Sequence, residues 1–227
     1  VIGVTENLAL ISDLLAKAAV EAEREPDAVH LLAVSKKQPL AKILAARDAG
    51  QRDFGENFVQ EGLEKIQQTR DLDLVWHFIG HLQTNKTRVV AENFDWVHTI
   101  DKLKTAQRLS AQRPPRLGPL NICLQINIDD EAGKSGIAVD ELPALAAACA
   151  ELPNVALRGL MCLPAVREDF AAQREPFARL RELADDLRSR GIEMDTLSMG
   201  MTGDFRAAIH EGATIVRIGT AIFGARK

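Results

Sequence analysis

The apolar residues of this chain switch repeatedly between helical spacing and short compact runs. That alternation limits the folds open to it more than any other feature. Residues 7–24 carry Leu8, Ile11, Leu14, Leu15, Ala18 and Ala22 at helical spacing. A compact run at 29–35 then reads as a buried strand. Helical spacing returns from Leu40 and stops near Gly50, a residue suited to a helix C-cap. The same pairing recurs downstream. Strands are predicted at 52–55, 74–79, 95–100, 120–128, 155–162, 196–199 and 214–218. Helices are predicted at 57–70, 85–92, 102–112, 139–151, 170–190 and 205–211.

Strands that strictly alternate with helices imply a parallel sheet. Eight such units in 227 residues fit an α/β protein with a single closed (β/α)8 TIM barrel. An open doubly wound sheet is the competing arrangement. The expected organisation is one domain over 1–227, with an extra N-terminal helix over one end of the barrel or against its side. The proline-rich stretch 113–119 is short enough to be a loop.

Composition narrows the function. Lys and Arg number 28 against 32 Asp and Glu, a net charge of -4 without a basic run. Nucleic-acid binding depends on basic patches that displace counterions, so no nucleic-acid partner is expected. The apolar run at 142–149 is far too short to span a bilayer, so no membrane partner is expected. No basic stretch followed by an apolar core marks a secretory signal. Cys123, Cys149 and Cys162 are odd in number and sit in apolar contexts, which reads as reduced, buried thiols in a cytoplasmic protein.

In a barrel the chemistry gathers at the C-terminal ends of the strands. The residues there form two poles. One is Ser35-Lys36-Lys37 after the first strand. A lysine at an apolar mouth beside a like charge favours its neutral amine, the form that attacks a carbonyl. The plainer reading is a pair of solvated charges. The other pole is Ser198-Met199-Gly200-Met201-Thr202-Gly203 with Arg217-Ile218-Gly219-Thr220. Loops after strands seven and eight commonly hold a phosphate, and glycines let backbone N–H groups approach it. Ser198, Thr202 and Thr220 offer hydroxyl donors; the plainer reading is ordinary turn chemistry. A lysine opposite a phosphate site suggests a phosphorylated carbonyl ligand.

Other motifs carry less. Gly133-Lys134-Ser135 mimics the end of a P-loop, but that motif needs glycine where Ile128 stands. His77 and His81 have metal-like spacing, yet Gly80 lies between them, and no zinc motif is present. His30 and His98 lie in apolar runs and are expected in the core, and His210 on a helix surface.

Six segments in order resemble one family. They are Leu32-Ala33-Val34-Ser35-Lys36, residues 54–61, residues 76–83, Arg158-Gly159-Leu160-Met161, Leu197-Ser198-Met199-Gly200-Met201, and residues 216–224. Together they resemble the pyridoxal phosphate homeostasis protein family, which is similar to the N-terminal barrel domain of alanine racemase. The resemblance runs from about Leu8 to Arg226. It implies that Lys36 rather than Lys37 holds pyridoxal 5'-phosphate (PLP) as a covalent aldimine. It implies that Asn57 lies beside the ring and that Arg217 faces the pyridine nitrogen. Ser198, Met199, Gly200, Gly219 and Thr220 are placed around the phosphate. Phe58 stands where the family often has tyrosine, and Thr202 where it often has serine.

An arginine stays charged and does not donate a proton in practice, so an unprotonated pyridine would be a poor electron sink. Racemases resembling this barrel oppose the lysine with a tyrosine from a second domain, and these residues include no tyrosine. The expectation is therefore a PLP carrier or reservoir without robust turnover. Its expected partners are PLP and apo PLP-dependent enzymes. The competing expectation is a racemase-like enzyme with an unidentified second base such as His81. A third is a barrel for some other sugar phosphate. A monomer is expected, and Lys134 is a candidate for a second PLP site.

Overall fold

The computed structural model describes residues 3–131, 133 and 135–225. Lys134, the candidate second site, lies outside the described residues. Eight strands close into one barrel in the order of the chain, and every pairing is parallel. They are β1 (His30–Val34), β2 (Asp53–Glu56), β3 (Val75–Phe78), β4 (Trp96–Ile100), β5 (Leu120–Ile126), β6 (Val155–Cys162), β7 (Thr196–Ser198) and β8 (Ile215–Ile218). The open doubly wound sheet is thereby excluded, because β1 pairs with β8. Closure also removes both exposed sheet edges.

The helices are α1 (Val4–Glu21), α2 (Leu40–Asp48), α3 (Val59–Gln68), α4 (Thr87–Asn93), α5 (Leu103–Gln112), α6 (Leu142–Ala150), α7 (Phe170–Ser189), α8 (Phe205–His210) and α9 (Thr220–Phe223). Each expected element is present, with ends shifted by a few residues. The sequence pattern did not reveal α9, because four residues are too few to show a period. The first helix lies against the barrel's side, packed on α2, α8 and α9. It buries Leu8, Ile11, Leu15, Ala18 and Ala19 there, and Asn7 donates to the Ile222 carbonyl at 2.9 Å.

The main apolar core fills the space between the barrel wall and its helices. Inside the barrel, a small separate cluster joins Leu32, Ile79 and Ile215. Polar side chains are buried as well: His77, His98, Ser198 and Arg217. Buried polar groups must find partners, and these find one another. His98 is therefore a core histidine, as the sequence suggested. His30 is not: it opens β1 at the barrel's N-terminal end and is exposed. The histidine falls two positions before the strand's buried stretch, so its apolar neighbours misled.

Candidate functional site

The mouth is shaped first by backbone. Gly80 follows β3, and a Cβ there would stand 2.0 Å from the Asn57 carbonyl oxygen. Only glycine lets this loop press against the one after β2. Thr99 fastens the same loop by donating to the Gly80 carbonyl at 2.6 Å. Gly200, after β7, has φ +97°, a conformation that side chains disfavour, and a Cβ would meet that of Ala208 at 2.7 Å.

At the end of β1, a buried cluster sorts the two lysines. Lys65 of α3 donates to the Ser35 carbonyl at 2.8 Å, to Glu56 Oε1 at 2.7 Å and to Glu61 Oε1 at 2.6 Å. Ser35 Oγ donates to Glu56 Oε1 at 2.5 Å. The Lys37 backbone N–H donates to Glu61 Oε1 at 2.6 Å, and Lys37 takes a left-handed φ of 57°. Lys37 is exposed, with its Nζ 5.8 Å from the Phe58 ring centre. Lys36 instead lines the mouth cavity. Burial pushes the Glu56 carboxyl up, against the pull of Lys65 and Ser35.

The cavity holds about 340 Å³ and is lined by Lys36, Asn57, Met161, Arg217, Gly219 and Thr220, among others. Thr202 and Met201 close its rim. A compartment of about 460 Å³ adjoins it, sharing Asn57, Ile79, Leu163 and Met201 and adding His81. Asn57 Oδ1 is buried with no partner among the described residues. An orphaned acceptor at a cavity wall is what a ligand donor would satisfy.

Arg217 is 4% exposed. Its Nη1 donates to Ser198 Oγ at 2.6 Å and its Nη2 to the Cys162 carbonyl at 2.9 Å. Among the described residues it makes no ion pair. Burial lowers its pKa from the usual arginine value, but a guanidinium remains charged. Ser198 and Met199 are fully buried below the cavity. Ser198 Oγ also lies 2.7 Å from His98 Nδ1, and the Met199 N–H donates to the Ile215 carbonyl. The Ser198 hydroxyl, expected beside a phosphate, is engaged here by Arg217 and His98. Gly200 shapes the loop, and its carbonyl accepts the Arg217 backbone N–H. Of the residues expected around a phosphate, Gly219, Thr220 and Thr202 line the cavity.

Glu56 and Glu61 lie in the 54–61 segment, but their partnership with Lys65 escaped sequence reasoning. Lys65 looks like a surface lysine four residues after Glu61. The three cysteines are free and buried; burial pushes the thiols of Cys123 and Cys162 up to about 12 and that of Cys149 up to about 11. Among the described residues no cluster of His, Cys, Asp and Glu could hold a metal ion, and no helix is long and apolar enough to cross a membrane.

A parallel eight-stranded barrel of this kind has known counterparts. Residues 13–227 match the family described as alanine racemase, N-terminal domain, and the chain belongs to it. Within that fold it groups with the pyridoxal phosphate homeostasis proteins. It is 56% identical to the one from Pseudomonas aeruginosa over 98% of this chain and 96% of that protein. It is 53% identical to the one from Escherichia coli K12 over 98% of this chain and 97% of that protein. PipY of Synechococcus elongatus PCC7942, solved with PLP bound, superposes with a TM-score of 0.81 at 37% identity, covering 92% of this chain and 100% of that one. Alanine racemase of Corynebacterium glutamicum shares the fold, with a TM-score of 0.73 at 16% identity over 98% of this chain and 61% of its own.

Proposed function

We propose that this protein binds PLP through a Schiff base at Lys36 and serves as a cytoplasmic, monomeric single-barrel reservoir that supplies apo PLP-dependent enzymes. The observation that carries the reading is one cavity. It sets the Lys36 amine, the buried Arg217 and the Gly219-Thr220 turn around a common space. A PLP-bound relative with the same fold supports the choice of ligand. The residues present suit the cofactor. Thr220 and Thr202 offer hydroxyls to its phosphate, Asn57 an acceptor to the ring side, and Arg217 a donor to the pyridine nitrogen.

Bound PLP supplies an electrophilic carbon and, in enzymes, an electron sink. Arg217 weakens the second property, because its guanidinium gives up no proton to the ring nitrogen. The site therefore favours holding and releasing the aldehyde over carbanion chemistry. Three buried free thiols support a reducing compartment.

Borohydride reduction of the PLP-loaded protein, followed by peptide mass mapping, tests the reading. A phosphopyridoxyl mass on the Lys36 peptide, absent in Lys36→Ala, is the expected result. Label scattered over surface lysines, or none, overturns it. Sustained α-proton exchange of an amino acid in deuterated water, at enzymatic rates, would overturn the reservoir role in favour of a racemase-like enzyme.

A further inference from the structure

Below the mouth, polar side chains run through the barrel in an unbroken line. Arg217 Nη1 donates to Ser198 Oγ, which lies 2.7 Å from His98 Nδ1. His98 Nε2 lies 2.9 Å from His77 Nδ1, and His77 Nε2 lies 2.9 Å from Asp53 Oδ1. Five strands contribute one residue each. Asp53 begins β2 at the end of the barrel opposite the mouth. There it lines a separate cavity of about 290 Å³ with His77, Trp96, Arg158 and Asp195.

The two ends give the line a direction. A guanidinium only donates and a carboxylate only accepts. With neutral rings, His77 Nε2–H donates to Asp53, so His77 Nδ1 must accept. His98 Nε2–H then donates to His77, and His98 Nδ1 accepts the Ser198 proton. Ser198 in turn accepts from Arg217. Every member is satisfied, and each ring is held as one tautomer. Burial, with the His77 and Arg217 fields, holds the His98 imidazole well below its usual range, consistent with a neutral ring. Among the described residues the Arg217 guanidinium itself bonds only neutral oxygens, those of Ser198 and Cys162. The Asp204 carboxylate already favours the charge through its field, and a polarised chain that ends on a second carboxylate, Asp53, adds to that.

We propose that His98, His77 and Asp53 are positioning residues for the cofactor site: the chain fixes the Arg217 guanidinium against the ring nitrogen and supplies a remote counter-charge at the far end of the barrel. The proposal rests on the PLP reading above. It makes Asp53, a residue outside the mouth cavity, a determinant of cofactor binding.

Histidine-labelled full-length protein tests the chain without cofactor. At about pH 8, above the ordinary imidazole range, long-range 1H–15N NMR should show Nε2–H tautomers for both His77 and His98. An Nδ1–H or cationic His98 overturns the proposal. PLP titration of Asp53→Ala and Asp53→Asn then tests the coupling. Asp53→Ala should weaken PLP binding roughly three- to thirtyfold and shift the visible absorbance band of the bound cofactor. Asp53→Asn keeps an acceptor for His77 and should recover part of both. Wild-type affinity and spectrum in a folded Asp53→Ala protein overturn the proposal. If Asp53→Ala does not fold, His98→Leu, which severs the line between Ser198 and His77, takes its place with the same criteria. Failure of Lys36 labelling in the unsubstituted protein would instead overturn the PLP reading, and the tautomers of the cofactor-free chain would still report the line.

Discussion

Lys36 and Lys37 are adjacent and chemically identical, yet only Lys36 lines the mouth cavity. The left-handed turn at Lys37 and its N–H bond to Glu61 send the two side chains apart. Arg217 and Ser198 show the same dependence on context. The sequence marks both as mouth residues, but the hydroxyl is already taken by the guanidinium. Thr220 is different, being exposed at the cavity. Thr220→Ala removes one hydrogen bond to a charged group, worth about 1.5–3 kcal/mol. PLP affinity should therefore fall by roughly ten- to a hundredfold, read by fluorescence titration.

At the scale of elements, α3 shows how a helix can serve a strand end. Lys65 is 6% exposed and ties α3 to both β1 and β2 through Ser35 and Glu56. Lys65→Met would leave the buried Glu56 carboxylate without its cation, a loss of about 3–5 kcal/mol in urea denaturation. The sign of its pH dependence follows. Burial already raises the Glu56 pKa in the folded state, and losing Lys65 raises it further. The folded protein then binds the proton more tightly than the unfolded chain. The stability that Glu56 contributes is greatest at low pH and falls as pH rises from the ordinary carboxylate range to the raised value. The variant's deficit should accordingly be smallest in mild acid. The elements themselves were legible in the sequence because eight compact runs alternate with helical spacing. The four-residue α9 and the exposed His30 were not, since neither leaves a period to read.

The whole molecule is a barrel whose interior is partly polar, and this has a global consequence. His98 is buried as a neutral ring, whereas an unfolded chain charges it below the usual value of 6.5. The unfolded state therefore binds the additional proton. Stability contributed by the neutral ring is full above pH 6.5 and declines as pH falls below it. Thermal melts should show the loss on the acid side of neutrality, with a shallower slope in His98→Gln. The barrel, its α1 appendage and the residue types at its mouth are legible in the chain, because strand–helix alternation and glycine-rich turns are local signals. It also carried the family, through six ordered segments. Folding in three dimensions sets which lysine lines the cavity, bonds Ser198 to Arg217, and connects Asp53 to the mouth through two histidines. Those are contacts between strands far apart in the chain, set by the register and closure of the barrel, and no local pattern of residues records them.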